Sequence, residues 1–227
     1  MEDFSRNRKL VWTEDGSPSI AVPPHNVTFH NMYGALPESR IIYIQNGLQC
    51  VSETRSAINV FEMGLGTGLN AVLSWEFAKN NNKSLQYTEV ELFPLEKKLW
   101  QLYMESPAFS CNQKKMFCKI HRAEWNKTVC LDTQFELMKQ QTSFMDVDIA
   151  GTFNLVYFDA FYPATQPELW TESSLVKIFN LLKNNGIMVN YSGKGSVRRL
   201  LEAIGFLVEK LPGPPGKREV TRARKKN

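Results

Sequence analysis

The sequence predicts an α/β protein: a mostly parallel, Rossmann-like sheet with helices on both faces and a small β-rich extension at its N-terminus. Three observations carry this. From Ala57 onward, apolar runs of strand length alternate with stretches at helical spacing. A turn holding Gly64, Gly66 and Gly68 joins the first such run to the first helix. The most apolar run, Phe153–Phe158, stops at a carboxylate, Asp159. Strands that alternate with helices across short connections build parallel sheets covered on both sides.

Residues 1–56 form the extension and 57–227 the main unit. The extension carries Pro18, Pro23, Pro24 and Pro37 among Asn, Ser and Asp, and lacks a long helical period. It is expected to be short strands and turns, with Ile41–Ile44 as one compact strand. In the main unit, Asn59–Met63 is the first strand, and Ala71, Val72, Trp75 and Ala78 recur at the spacing of a helix. Leu85–Glu91 reads as strand and Leu95–Tyr103 as helix. Phe153–Phe158 is the best buried strand; Leu175, Ile178, Phe179 and Leu182 form a helical stripe that ends at Lys183–Gly186. Gly186–Asn190 is strand, and Val197, Leu200, Leu201 and Ile204 mark another helix. Two late strands, Phe206–Leu211 and Arg218–Thr221, flank a Gly-Pro-Pro-Gly turn.

Composition excludes several classes. With 227 residues, 43% hydrophobic and 22% charged, the chain can bury a sizeable core. No apolar run approaches the ~18 residues of a membrane span, and MEDFSRNRKL is too charged for a signal peptide. Cys50, Cys111, Cys118 and Cys130 form no Cys-x-x-Cys pair and read as reduced packing residues of a cytoplasmic protein. No His, Cys and acid cluster has metal-ligand spacing, so no metal is expected.

In a sheet of this kind, ligands bind beyond the carboxyl ends of the strands. The first such position is Glu62-Met63-Gly64-Leu65-Gly66-Thr67-Gly68-Leu69-Asn70. Its glycines let the backbone turn tightly and approach a ligand. The spacing departs from G-x-G-x-x-G of dinucleotide sites, and an acid precedes the glycines, which suits a cation better than a pyrophosphate. Glu91, 23 residues beyond Gly68 at the end of the next strand, suits a pair of ribose hydroxyls. A nucleoside carrying an ammonium group answers both acids, and S-adenosylmethionine is such a molecule. Asp159-Ala160-Phe161-Tyr162-Pro163 follows the strongest strand, where an unpaired carboxylate is costly unless it is used. An acid with aromatic neighbours at this point can address an amine.

The loop and its two acids form the pattern of class I S-adenosylmethionine-dependent methyltransferases, and Asp159–Tyr162 resembles the Asp-Pro-Pro-Tyr of those acting on amino groups, without its prolines. Over residues 13–222 the chain resembles the methyltransferases of the bacterial tRNA 5-methylaminomethyl-2-thiouridine pathway, the MnmC/MnmD type. The resemblance rests on Thr13–Ser17, Gly34-Ala35 with Glu38-Ser39, Glu62–Asn70, Glu91–Leu95, Asp159–Pro163, Pro167–Trp170, Tyr191–Gly195, Val197–Arg199, Gly205-Phe206 and Gly213–Glu219. Two positions depart from the family: Thr142-Ser143 stands where an acid near the adenine is usual, and Asn31 replaces a Ser after His30. The resemblance implies a class I fold and S-adenosylmethionine held by Glu62, Gly64, Leu65, Gly66, Gly68, Leu69, Asn70, Glu91, Ser143 and Asp159. It implies Asp159 as the catalytic residue at the transferred methyl. It also implies conversion of 5-aminomethyl to 5-methylaminomethyl on the wobble uridine, in the anticodon region of tRNA; a class I methyltransferase acting on another amine, of a protein or small molecule, and a non-catalytic tRNA-binding relative are the alternatives. Separate enzymes would supply the aminomethyl uridine, and no flavin oxidase domain follows Asn227, so the expected form is the stand-alone methyltransferase.

The net charge of +4 divides unevenly: residues from Lys194 onward carry +7 and the rest −3. This basic segment reads either as a solvated face with a frayed tail or as an RNA footprint. On the second reading Lys194, Arg198, Arg199, Lys217 and Arg218 contact phosphates, while Phe161, Tyr162 and Tyr191 line the substrate pocket. His30 reads as a hydrogen-bonded packing residue and Trp170 as a core or hinge anchor. An Asp159 carboxyl at its ordinary pKa, about 3.9, is a poor base for an alkylammonium, so it is expected to orient the amine and balance the charge that grows on nitrogen.

Overall fold

The computed structural model describes residues 3–149 and 152–226. Its centre is an eight-stranded sheet. The strands of the main unit are β4 (Ala57–Met63), β5 (Ser84–Val90), β6 (Thr128–Asp132), β7 (Phe135–Gln140), β8 (Phe153–Phe158), β9 (Leu182–Asn190), β10 (Phe206–Pro212) and β11 (Glu219–Lys225). They lie in the order β10-β11-β9-β8-β4-β5-β7-β6. β4 pairs in parallel with both β5 and β8, while β11 runs antiparallel to β9 and β10, and β6 to β7. The chain leaves β4 toward β5 and β7, then returns to β8 on the other side. The ligand crevice therefore opens at the carboxyl ends of β4, β5 and β8.

The central strands are apolar because both faces are covered. All six residues of β8 are buried, each large aliphatic or aromatic one worth about 1.5–3 kcal/mol relative to exposure. The covering helices are α3 (Leu69–Asn80), α4 (Lys97–Met104), α5 (Cys111–Arg122), α6 (Glu172–Leu181) and α7 (Gly195–Ile204). A capping box between Ser110 and Gln113 starts α5, and the Thr171 side chain caps α6. Neither α5 nor the β6–β7 hairpin has an assignment from sequence; α5 has polar residues on most of its surface and buries only Gln113, Met116, Phe117 and Ile120.

The short strands expected before residue 57 form in part. β1 (Lys9–Trp12), β2 (Pro18–Val22) and β3 (Val27–Thr28) make a small antiparallel sheet. Ile41–Ile44 is not a strand. It lies in a π-helical run, Arg40–Gln49, between α1 (Ala35–Ser39) and α2 (Cys50–Ser52). Ala35, Glu38, Ser39, Ile42, Tyr43, Gly47, Leu48 and Val51 are buried, a helical face that the four consecutive apolar residues obscure. Pro37 stands in the first turn, where its missing N–H costs nothing. At Gly47 the helix presses on the sheet: a Cβ there would lie 3.2 Å from both Tyr157 and Val189.

The tail is not frayed over residues 219–225, which form β11. The four cysteines are unpaired, but Cys111 and Cys130 are exposed rather than packed, because they sit on the outer sides of α5 and the edge strand β6. Among the described residues no helix is long and apolar enough to cross a membrane.

Candidate active site

At the carboxyl ends of β4, β5 and β8 lies a cleft of about 320 Å³. The β4–α3 loop forms one wall, with Gly64, Gly66 and Gly68 at φ of 92°, 53° and 79°, a region that favours glycine. Leu65, Gly66, Leu69 and Asn70 face the cleft; Gly68 instead starts α3 and does not line it. Across from the loop, Glu91 accepts the N–H of Gly66 at 3.1 Å and that of Phe93 at 2.8 Å. Ser143 lines the cleft beyond β7, together with Thr142 and Phe144.

Glu62 is displaced from its expected role. It is fully buried behind the loop and accepts hydrogen bonds from Asn70 Nδ2 and the Tyr87 hydroxyl, both at 2.8 Å. Burial, with the charge of Asp159 second, pushes its carboxyl well above the usual range. It acts on the cleft through Asn70, whose Nδ2 also donates to Asp159 at 2.9 Å. Glu89 lies beside it in register, equally buried, with both carboxyl oxygens unpartnered among the described residues.

Asp159 sits part-buried in the cleft, where β8 ends. Its second oxygen accepts a short hydrogen bond from the Tyr43 hydroxyl. Burial raises its pKa to about 7; Glu38 adds to the rise, while Tyr43, Asn70 and Lys217 oppose it. The ordinary carboxylate pKa assumed from sequence is thus overturned, because protein surrounds the group and its donors only partly offset lost hydration. The loop that follows is fixed from both sides. Phe161 receives a hydrogen bond at its carbonyl from the Trp170 indole at 2.7 Å, and the Tyr191 hydroxyl donates to the Ala160 carbonyl at 2.6 Å. Phe161 stacks on Phe4 and meets Phe29 edge-on, so the extension closes this side.

Tyr162 and Tyr191 line the cleft with their rings 4.9 Å apart. Lys217 is not on the outer surface. Its ammonium lies inside, 2.7 Å from the Tyr162 hydroxyl, 3.4 Å from Glu38 and 4.3 Å from the centre of the Tyr191 ring. Glu38, buried, also accepts the Asn31 N–H at 2.8 Å. His30 is the hydrogen-bonded packing residue expected, with Nε2 3.1 Å from the Thr67 hydroxyl, although it also borders the cleft.

The basic segment divides. Arg198 is buried, donating to Thr221 at 3.1 Å and to Glu219 at 2.8 Å, so it does not present a charge to a partner. Its neighbour Arg199, with Lys194 and Arg218, is exposed. Sequence reasoning missed Tyr43, Phe4, Arg8 and Phe29; Tyr43 was hidden in the misassigned strand, and the others belong to a segment without a motif.

Cleft, glycine loop and acid thus meet at one edge of the sheet. A family model described as S-adenosyl-L-methionine-dependent methyltransferase matches residues 103–226. The chain belongs to this family. The methyltransferase is 28% identical over 229 residues to the tRNA 5-methylaminomethyl-2-thiouridine biosynthesis bifunctional protein MnmC of Aromatoleum aromaticum, covering 95% of this chain and 35% of that protein. It is 28% identical over 204 residues to the protein of the same name from Campylobacter hominis, covering 86% and 29%. The chain therefore spans about a third of the length of these relatives. Among solved structures, MnmC2 from Aquifex aeolicus superimposes with a TM-score of 0.78 at 23% identity, over 96% of this chain and 70% of that one. Spermidine synthase from Thermotoga maritima follows with 0.60 at 11% identity, over 96% and 68%. Both likenesses show the fold.

The methyltransferase's cleft also fits its cofactor chemically. Asn70 lines it and carries a buried Oδ1 with no partner among the described residues, an acceptor suited to an ammonium group. A Cβ on Gly66 would press within 3.2 Å of the Phe29 ring, so a side chain there would have to displace that ring from a backbone already at a φ of 53°.

Proposed function

We propose that this methyltransferase N-methylates the 5-aminomethyl group of the tRNA wobble uridine or 2-thiouridine, giving the 5-methylaminomethyl form. The observation that carries the reading is Asp159: an acid with an elevated pKa, its two oxygens steadied by Tyr43 and Asn70, facing the space shared by the cofactor loop and the Tyr162 and Tyr191 rings. The tRNA and its wobble nucleoside come from the names of the relatives. A tRNA substrate implies action in the cytoplasm, and separate enzymes must supply the aminomethyl uridine. Residues 1–56 would act as a wall of the methyltransferase unit 57–227.

In this reading Gly64, Leu65, Gly66, Leu69, Asn70, Glu91 and Ser143 hold S-adenosylmethionine, with Asn70 at its ammonium and Glu91 at its ribose. When bound, it supplies an electrophilic methyl on a sulfonium. The chain's own part is positioning and proton handling. An alkylammonium ordinarily has a pKa near 10.4 and must lose a proton to attack. Against a carboxyl at about 7 the mismatch is roughly three pH units, half of what an ordinary aspartate would face. Asp159 accepts that proton at the oxygen edge left free by Tyr43 and Asn70, and its hydrogen bond aims the nitrogen. It thus serves as base and orienter together. The rings of Tyr162 and Tyr191 flank the amine's approach.

Nucleoside mass spectrometry of total tRNA from a deletion strain tests the reading. The 5-aminomethyl form accumulates and its methylated product disappears; unchanged nucleosides refute it.

A further inference from the structure

Beside the cleft lies a second groove, of about 340 Å³, sharing Tyr162, Tyr191 and Lys217 as a common wall. Its far side carries the exposed cations Lys194 and Arg218. Lys194 is also the residue before α7, and among the described residues no side chain caps that ten-residue helix. The first N–H groups of α7 are therefore left without a side-chain partner next to Lys194, at the positive end of the helix dipole. Arg199 folds back over the same turn, its Nη1 3.2 Å from where a Cβ on Gly195 would sit.

A buried donor points the same way. Arg198 is 6% exposed and spends Nε on Thr221 and Nη1 on Glu219, but its Nη2 has no partner among the described residues. That nitrogen lies 3.7 Å from the place where a side chain on Gly193 would begin, and Gly193 lines the groove. Glu219, the one acid among the described residues of the groove's lining, is already paired with Arg198.

We infer that this groove binds a phosphodiester of the RNA strand next to the acceptor nucleotide, with Lys194, Arg218 and the first turn of α7 as donors. The inference rests on the proposed RNA substrate. The shared tyrosine wall sets the range: a nucleoside in the cleft has its own backbone at the cleft's mouth, where the groove begins.

The test is steady-state methylation of an anticodon stem-loop carrying 5-aminomethyluridine by the wild type and by Lys194→Gln/Arg218→Gln. Both residues are exposed, and the variant is first shown to melt like the parent. Its KM for RNA rises about tenfold or more, as expected when charge-assisted hydrogen bonds to phosphate are removed. The effect falls on KM rather than kcat, and affinity for S-adenosylmethionine is unchanged. The dependence of log affinity on log salt flattens by about 0.7–0.9 for each phosphate no longer neutralised. A neutral methylphosphonate at the linkage flanking the modified uridine raises the wild-type KM comparably and adds little to the variant's. An unaltered KM and salt slope overturn the groove, as does a methylphosphonate effect that simply multiplies with the variant's. A wild type that methylates no stem-loop and no tRNA overturns the RNA reading and the groove with it.

Discussion

Replacing Asp159 by Asn separates the acid's charge from its shape. In the native site one oxygen accepts a hydrogen bond from the Tyr43 hydroxyl and the other accepts one from an Asn70 N–H at 2.9 Å. An asparagine turned so that Oδ1 faces Asn70 keeps the second bond, and the Tyr43 hydroxyl rotates to accept from the new NH2. The fold should therefore survive, with an unchanged melting temperature. Catalysis should not. The amide can neither take a proton from the acceptor amine nor balance the charge growing on it, a loss of about 10²–10³ in kcat. The wild type carries a second signature. With a pKa of about 7, the carboxyl is about one-tenth ionised at pH 6 and about nine-tenths at pH 8. The kcat/KM for RNA should rise roughly tenfold across that interval and then level, and this inflection should be missing from the residual activity of Asp159→Asn. Radiolabelled methyl transfer to a stem-loop RNA measures both. Near-normal turnover by the variant makes Asp159 a turn residue. A wild-type profile flat from pH 6 to 8 leaves it an orienting acid without proton transfer.

Gly66→Val should abolish S-adenosylmethionine binding in calorimetry, since φ is 53° and a Cβ meets Phe29 at 3.2 Å; retained binding refutes the loop as drawn. Arg198→Glu places an acid beside Glu219 in a buried site and should lower the melting temperature by roughly 5–10 °C, whereas Arg199→Glu at the exposed neighbour should not change it; equal effects refute the division. Glu89→Gln should stabilise the protein more at pH 8 than at pH 5. Burial holds the folded carboxyl well above its unfolded value near 4.3, so the folded chain keeps a proton that the unfolded chain releases, and stability falls as pH rises through that window. Melting curves at the two pH values check this, and an equal gain at both refutes it.

The fold of residues 57–227 was legible because its signals are local. β4, β8 and α3 announce themselves by largely apolar runs or helical period, and the glycine turn between β4 and α3 has few other uses. Glu91 and Asp159 could be picked out because strand ends in a parallel sheet converge on one edge. Long-range facts were not legible. Whether Glu62 faces a ligand or lies behind Asn70 depends on Tyr87, 25 residues away on the next strand. Arg198 and Arg199 are adjacent in sequence and opposite in fate, because one side of α7 meets β11 and the other meets solvent. Lys217 looked like a surface cation because its turn is exposed, yet its long stem carries the ammonium between two tyrosine rings.

The helix misread as strand bears on the chemistry more than its position suggests. A carboxylate at the end of β8 is supplied by the sheet alone, but its pKa is not. One of its donors comes from α3, which also carries the cofactor loop's last residue, and the other comes from Tyr43 in the extension. Glu38, on the same helical stretch, raises the Asp159 pKa while accepting Lys217, which lowers it. From this stretch Tyr43 lowers and Glu38 raises the acid's proton affinity, on top of the larger rise that burial gives, while Phe4 and Phe29 line the cleft.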